Sequence, residues 1–356
     1  MNRKISVIIV TWNALDYLQT YLPSVTKSDY EPFEILIADN ASTDHSTDWI
    51  RKNHPECNVV TFTKNYGYCG GNNRATDHTS GDILVFLNND VRVETDWLQK
   101  IERCFDDPGV AVVQPKIRSD REPRQFEYAG AAGGYIDKMG YPFCRGRIFD
   151  HIEWDKGQYD QEISIFWASG AALAIRRDVF NEVGRFDENF QFHMEEIDLC
   201  WRCLNRGYQI KFCPTSTVYH LGGGSLPMDS PRKTFYNFRN SLQMIWKNAT
   251  TDWLKKRFFL RLCLDTIAGI RALWKGNLQQ TISIIKAHFS FYLLWYRVHQ
   301  NRKYLEPLRT LEKEPDEIKP VYILYEYFIR GKKTYSELFE NESENKMKNS
   351  EEKTQL

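Results

Sequence analysis

The stretch HMEEIDLCWR, residues 193–202, sets Glu195, Glu196 and Asp198 within four positions, between His193 and Arg202. Three carboxylates this close suit a solvated helix face, a metal site, or a catalytic base with its support. On a helix Glu195 and Asp198 share a face, whereas Glu196 points about 100° away. A single task for all three is therefore excluded. Arg202 follows Glu195 by about two turns, where it can pair with a carboxylate of the cluster or face solvent. Cys200 and Cys203 have CxxC spacing, but no second CxxC completes a zinc site, and apolar helical neighbours make them structural thiols. No Ser/His/Asp or Cys/His nucleophile pattern is recognisable.

Such groups need a frame to hold them. ISVIIVTW (5–12), FEILIADN (33–40), NVVTFT (58–63), DILVFLNND (82–90) and VAVVQPKI (110–117) are short apolar runs, read as buried strands. ALDYLQTYLPSV (14–25), STDHSTDWIRKNH (42–54) and WLQKIERCF (97–105) carry helical spacing between them. This alternation predicts an α/β fold, a mostly parallel, Rossmann-like sheet flanked by helices. Residues 118–165, rich in Gly, Pro and aromatics, predict loops or a small hairpin over a sheet edge. Residues 166–184 predict a strand and a short helix, 192–206 a helix, and 208–220 a further strand. From Pro231 to about Arg302 the pattern is helical, basic and aromatic. The expected organisation is a main domain over 1–230, with halves of about 1–117 and 118–230. A helical region over 231–335 and a disordered tail over 336–356 follow.

In open parallel sheets, ligands bind beyond the carboxyl ends of the strands. The first strand ends in Thr11, Trp12 and Asn13, and the second in Asp39 to Asp44. After the third comes a Gly/Asn-rich turn, NYGYCGGNN, Asn65 to Asn73, and the fourth ends in Asn88, Asn89 and Asp90. Each residue alone could be a turn or cap former; together, four polar strand ends predict one ligand crevice, to which Asn65, Asn72 and Asn89 contribute. Asp39 can accept hydrogen bonds from a nucleobase or ribose, and Thr11 and Asn13 can frame the base. Gly67, Gly70 and Gly71 allow close backbone approach to a ligand. Asp90 can ligate a divalent cation, which commonly takes one or two carboxylates plus phosphate oxygens. GxGxxG and the P-loop are both absent.

VIIVTWN, IADNASTDHS, NYGYCGGNN, FLNNDV, WASGAALAIRRDVF, GRFDENF and EEIDLCWRCLNRGY follow one another in the order seen in family 2 glycosyltransferases. The set resembles most closely the rhamnosyltransferase-like branch and covers about residues 4–245. The resemblance implies a GT-A fold and inverting, metal-dependent sugar transfer with Mg²⁺ or Mn²⁺. The implied donor is a nucleoside-diphosphate sugar, dTDP-rhamnose or a UDP-sugar. The implied acceptor is a saccharide or lipid-linked saccharide in cell-surface polysaccharide synthesis. Carried over residue by residue, Thr11, Asn13, Asp39, Asn40, Ser42 and Asp44 meet the nucleotide. The family's DxD metal motif falls on NND, so Asn88 replaces the first Asp and Asp90 keeps the metal. His220 matches a metal-ligating histidine, and Gly222 to Gly224 are expected to form a loop over the diphosphate. Trp167, Ser169 and Gly170 match the segment lining donor and acceptor; Asp198 joins this lining or pairs with a basic neighbour. The family's Glu-Asp falls on Glu195-Glu196 and its base is the second, which selects Glu196, with Glu195 as the substitute.

Lys+Arg and Asp+Glu number 47 each, so whole-chain charge names no partner, and nucleic acid is not expected. The start, MNRKISVIIVTWN, has an apolar run of about six residues and lacks a signal-peptide pattern. With eight scattered cysteines, this fits a reducing, cytoplasmic setting. Arg261, Asp265 and Arg271 argue against a spanning helix over 258–274. The basic, aromatic helices instead suit peripheral contact with the inner face of the cell membrane, packing on the main domain, or a homodimer interface. Two other function classes stay open. A sugar nucleotidyltransferase would usually carry a basic, Gly-rich loop where TWNALDYL has neither Gly nor Lys. A non-catalytic nucleotide-sugar-binding module sits poorly with the carboxylate cluster.

Overall fold

The computed structural model describes residues 2–222 and 230–339. Its strands are β1 (Ile5–Thr11), β2 (Phe33–Asp39), β3 (Asn58–Thr61), β4 (Ile83–Leu87), β5 (Val91–Val93), β6 (Val110–Ser119), β7 (Gly134–Ile136), β8 (Pro142–Cys144), β9 (Arg147–Ile148), β10 (His151–Ile152), β11 (Ile163–Ser164), β12 (Ala172–Arg176) and β13 (Gln209–His220). Its α-helices are α1 (Leu15–Thr26), α2 (Ser46–Asn53), α3 (Gly67–Ala75), α4 (Trp97–Arg103), α5 (Arg177–Glu182), α6 (Glu195–Asn205), α7 (Pro231–Asn248), α8 (Thr251–Trp274), α9 (Leu278–Leu305) and α10 (Ile323–Phe328).

The main sheet runs β11-β13-β6-β12-β4-β1-β2-β3, with β5 paired to β13. Its strands are apolar on both faces for a visible reason. Ile5, Val7 and Ile9 enter one core with Ile35, Val85 and Trp97, whereas Ile8 enters the other with Leu36 and Phe86. Alternate residues of one strand thus serve two cores, which removes the polar–apolar alternation of a half-buried strand.

The sheet is more mixed than its sequence suggests. β4, β1, β2 and β3 run parallel, as do β6 and β13. β12, however, lies antiparallel between β4 and β6, and β11 and β5 are antiparallel to β13. The chain reaches β12 through the antiparallel sheet β10-β9-β8-β7 rather than a crossover helix, and so returns in the opposite sense. That small sheet occupies the segment expected to hold loops or a hairpin.

The segment 67–75 is helix α3, not a Gly/Asn-rich turn. A Cβ on Gly71 would lie 2.8 Å from Asn40 Nδ2 and 2.9 Å from Val10 Cγ1. The glycines therefore let α3 pack close to β1, which outweighs their poor helix propensity.

α7 packs on α6 and α9, and α8 and α9 form an antiparallel hairpin beyond it. Trp246 sits at the junction, edge-on to Phe258, Phe291 and Trp295. The chain then returns to the small sheet: Lys319 N–H donates to the Ile136 carbonyl, and Tyr335 stacks on Tyr135. Residues 336–339 of the expected tail are helical, and Leu338 is buried. The rest of that segment lies outside the described residues.

Candidate active site

The parallel register aligns the ends of β1 and β2, setting Thr11 beside Asp39. Asn89 Nδ2 donates to Thr11 Oγ1 at 3.3 Å, joining the end of β4 to that of β1. Asn13, in the left-handed region at φ 48°, accepts from Thr43 N–H at 2.8 Å, and its own N–H donates to Ser42 Oγ. One Asp39 oxygen accepts from Ser42 N–H at 3.0 Å. Thr11, Asn13, Asp39, Ser42 and Asn89 thus come together as one cross-braced floor, with Trp12 standing 56% exposed at its rim.

Other expected contacts are used inside the protein. Asn40 donates to the Gly67 carbonyl and accepts from Tyr66 N–H, fastening α3 to β2. Asp44 accepts from Leu15 N–H and Ser46 N–H, capping α1 and α2. Burial works against its charge, but these bonds hold its carboxyl below the usual range. Asn65 accepts from Gly67 N–H at the start of α3, and Asn72 donates back to the Tyr68 carbonyl. A Cβ on Gly70 would meet Arg74 and Tyr66 at 3.0 Å, so this glycine serves helix packing rather than ligand approach; Gly67 has open space.

The expected metal residues do meet. β5 pairs with β13 so that His220 lies opposite Val91, which brings Asp90 against the imidazole. His220 Nε2 stands 3.2 Å from Asp90 Oδ1 and 3.4 Å from the Asn88 amide; Nδ1 stands 3.3 Å from Glu127 Oε2. Burial opposes charging His220, but the two carboxylates outweigh it and push the imidazole up to about 10. Gly222 completes the enclosure, since a Cβ there would lie 2.7 Å from Glu127 Oε1. Gly223 and Gly224 lie outside the described residues.

The donor set suits a hard divalent cation. An imidazole nitrogen and a carboxylate oxygen 3.2 Å apart match neighbouring ligands of an octahedral ion, which at bonds of about 2.1 Å sit roughly 3 Å apart. Glu127 on the far nitrogen would fix the tautomer that frees Nε2 for metal. Among the described residues no group of three or more His, Cys, Asp or Glu side chains converges on a cation site, so remaining positions would fall to phosphate oxygens and water. No sequence pattern marks Glu127, because the irregular segment after β6 offers no periodicity to place it.

The carboxylates of residues 195–198 divide as their helical spacing requires. α6 begins at Glu195 after two successive left-handed residues, His193 (φ 64°) and Met194 (φ 75°). Such backbone costs about 1–3 kcal/mol per residue; here Asn240 of α7 donates to the carbonyls of Phe192 and His193, holding the turn. Glu195 is buried and Glu196 half-buried, and each leaves one enclosed oxygen without a hydrogen-bond partner. Burial raises both carboxyls, Glu196 to about 7, and Glu195 is raised further by the neighbouring Glu196 charge. Asp198 is fully buried and bound by Arg202 Nε at 2.9 Å, Lys247 Nζ at 2.8 Å and Asn248 Nδ2 at 2.7 Å. It is an anchor for α7 and does not line the crevice, and Arg202 is buried with it.

Two expected lining residues are likewise internal. Trp167 donates from Nε1 to the Tyr135 carbonyl against the Gly134 backbone, and Ser169 N–H donates to Gln114. The Gly170 carbonyl accepts from Tyr68 Oη at 2.9 Å. Burial holds the Tyr68 phenol protonated, and the charges of Glu195 and Glu196 add to the effect. Burial also raises the Cys144 thiol, with contributions from both Glu127 and Glu196. Cys200 is a buried thiol accepting from Ala168 N–H, in keeping with a structural role.

The chain is 29% identical over 242 residues to the O-antigen biosynthesis protein RfbC of Myxococcus xanthus, covering 64% of this chain and 18% of that protein. It is 24% identical over 295 residues to the N-acetylglucosaminyl-diphospho-decaprenol L-rhamnosyltransferase of Mycobacterium tuberculosis, covering 76% of this chain and 95% of that one. Its fold resembles a crystal structure of GalNAc-T7 with UDP, GalNAc and Mn²⁺, at a TM-score of 0.56 and 16% identity over 71% of this chain and 49% of that one. The sheet with its flanking helices is thus of the GT-A type. The model of the glycosyl transferase family 2 matches residues 6–184, from β1 through α5, and the chain belongs to that family.

Proposed function

We propose that this chain transfers a sugar from a nucleoside-diphosphate sugar to a hydroxyl of a saccharide or lipid-linked saccharide, with inversion at the anomeric carbon. The observation that carries this reading is the pair of enclosed, unpartnered carboxylate oxygens on Glu195 and Glu196, together with a separate Asp90–His220 pair. Direct displacement needs two such centres. The floor of Thr11, Asn13, Asp39 and Ser42 receives the nucleoside, and Asp90 and His220 hold a divalent cation. That cation supplies charge neutralisation for the departing diphosphate. Glu196, the more accessible of the pair, accepts the acceptor's proton as its oxygen bonds to the anomeric carbon and the bond to diphosphate breaks. Glu195 stays protonated beside it, so two adjacent negative charges need not be held in one enclosed space. The named relatives in rhamnosyl transfer and O-antigen synthesis favour dTDP-rhamnose as the donor and cell-surface polysaccharide as the product. The C-terminal helices suit an enzyme working at the inner face of the membrane.

Incubating the protein with Mn²⁺ or Mg²⁺ and a panel of nucleotide sugars should release nucleoside diphosphate from one of them, only when metal is present. Pyrophosphate formed from sugar phosphate and nucleoside triphosphate would instead mark a nucleotidyltransferase. Binding without turnover, even with lipid-linked acceptors supplied, would mark a non-catalytic module. Asp90→Asn should weaken donor binding more than tenfold in Mn²⁺ and leave it unchanged in chelator; equal affinity in both would remove Asp90 from the metal. Glu127→Gln should lower Mn²⁺ affinity by about 10- to 100-fold, read by calorimetric titration with nucleoside diphosphate present. Unaltered affinity would leave Glu127 no part in setting His220.

A further inference from the structure

The α8–α9 hairpin carries two apolar faces where packing requires one. Its inner face is filled: Ile284, Ala287 and Phe291 of α9 and Phe258 of α8 are buried, with Phe258 and Phe291 against Trp246 of α7. On the outer side of α9, Leu278, Ile282, Ile285, Phe289, Leu293 and Tyr296 recur at steps of three and four and are all exposed. α8 adds Phe259 (77% exposed), Ile267, Ile270 and Trp274 (86% exposed). Contiguous exposed apolar surface of this extent marks an interaction site.

Charge selects the partner. From 253 to 305 the chain has ten Lys and Arg residues and one acidic residue, Asp265. Asp265, Arg261 and Arg302 are buried, and Asp265 is paired with Arg261. Lys256 pairs with Asp252 at the start of α8, so seven cations remain with no acidic residue in this segment to offset them. Several adjoin the stripe by helical spacing: Lys255 with Phe259, Lys286 with Phe289, and Arg297 with Leu293. A second copy of this hairpin would set seven such cations against seven. Among the described residues no helix is long and apolar enough to cross a membrane.

We infer that the outer face of the α8–α9 hairpin docks on an anionic lipid bilayer, lying in the interface with its apolar side chains in the headgroup–acyl boundary and its cations on lipid phosphates. The surface is independent of the transfer chemistry, and its test needs no substrate. The full chain should co-float with phosphatidylcholine vesicles containing phosphatidylglycerol, weakly with phosphatidylcholine alone, and less as salt rises. Changing Phe259, Trp274 and Leu293 together to Ser should abolish flotation. All three are exposed, so the circular dichroism spectrum and melting temperature should stay unchanged. Lys255→Gln and Lys286→Gln should each weaken vesicle binding about fivefold. Equal, salt-insensitive binding to both vesicle types would overturn the charge assignment. Absence of flotation, with a concentration-dependent dimer that the triple variant dissolves, would make the face an interface between copies and overturn the proposal.

Discussion

Replacing Glu196 with Gln is expected to cut turnover by about 10²–10⁴-fold while leaving donor affinity near that of the parent protein. The amide keeps the shape and removes only the capacity to take a proton. Glu195→Gln should have a smaller effect, because burial already keeps that carboxyl protonated. Comparing kcat with donor affinity for the two variants checks the assignment, and a collapse only with Glu195→Gln would transfer the role by one residue. The base must be ionised to work, so kcat of the parent should rise with pH through about 7. The sign for stability is opposite. Burial raises this carboxyl above its ordinary 4.5, so the folded protein binds the proton more tightly than the unfolded chain. Stability from this group is therefore fullest below pH 4.5 and declines as pH rises towards 7. Activity and stability should diverge across that window, and Glu196→Gln should flatten both profiles.

Asp198→Ala is expected to destabilise the fold by about 3–5 kcal/mol, measured as a shift in the denaturant midpoint. It would leave Arg202, Lys247 and Asn248 facing an enclosed space without their shared acceptor. Lys247 keeps a second partner in Asp187 at 2.7 Å, whose carboxyl is held at about 2 because Lys247 outweighs burial. That remaining pair should keep the variant folded at low temperature, so the loss can be measured. A change below about 1 kcal/mol, the usual worth of an exposed ion pair, would show that the site is wetter than its geometry implies.

These two neighbours show what a sequence discloses and what it withholds. Helical spacing alone separates Glu196 from Glu195 and Asp198, and β1, β2, β4, β6 and β13 are legible from their apolar runs. Which carboxylate stays open to a ligand is not legible, because Asp198 is neutralised by Lys247 and Asn248, about fifty residues away on α7. Glu127 is hidden in the same way: it acts on His220 only because the chain folds back beside the end of β6. β5, three residues long, is too short for periodicity, yet it brings Asp90 to His220. The strand-end loops are legible as one polar cluster, but not in their division of labour. Thr11 and Asp39 bond to Asn89 and Ser42 at the strand ends, whereas Asn40 and Asp44, in the same motif, serve as clamp and cap. Short polar side chains suit both tasks, and only packing distinguishes them.

The hold of α7 on α6 has an evolutionary consequence. Composition changes at Pro231, and the family match stops at residue 184, yet neither point is a seam in space. Asn240 secures the left-handed turn before Glu195, while Lys247 and Asn248 close the buried charge behind it. A helical appendage that supplies these three groups cannot be exchanged between relatives as a cassette. Its loss or replacement would have to be accompanied by compensating changes at Asp187, Asp198 and the 192–194 turn. The sheet domain and the helical region are therefore expected to vary together, as one inherited unit.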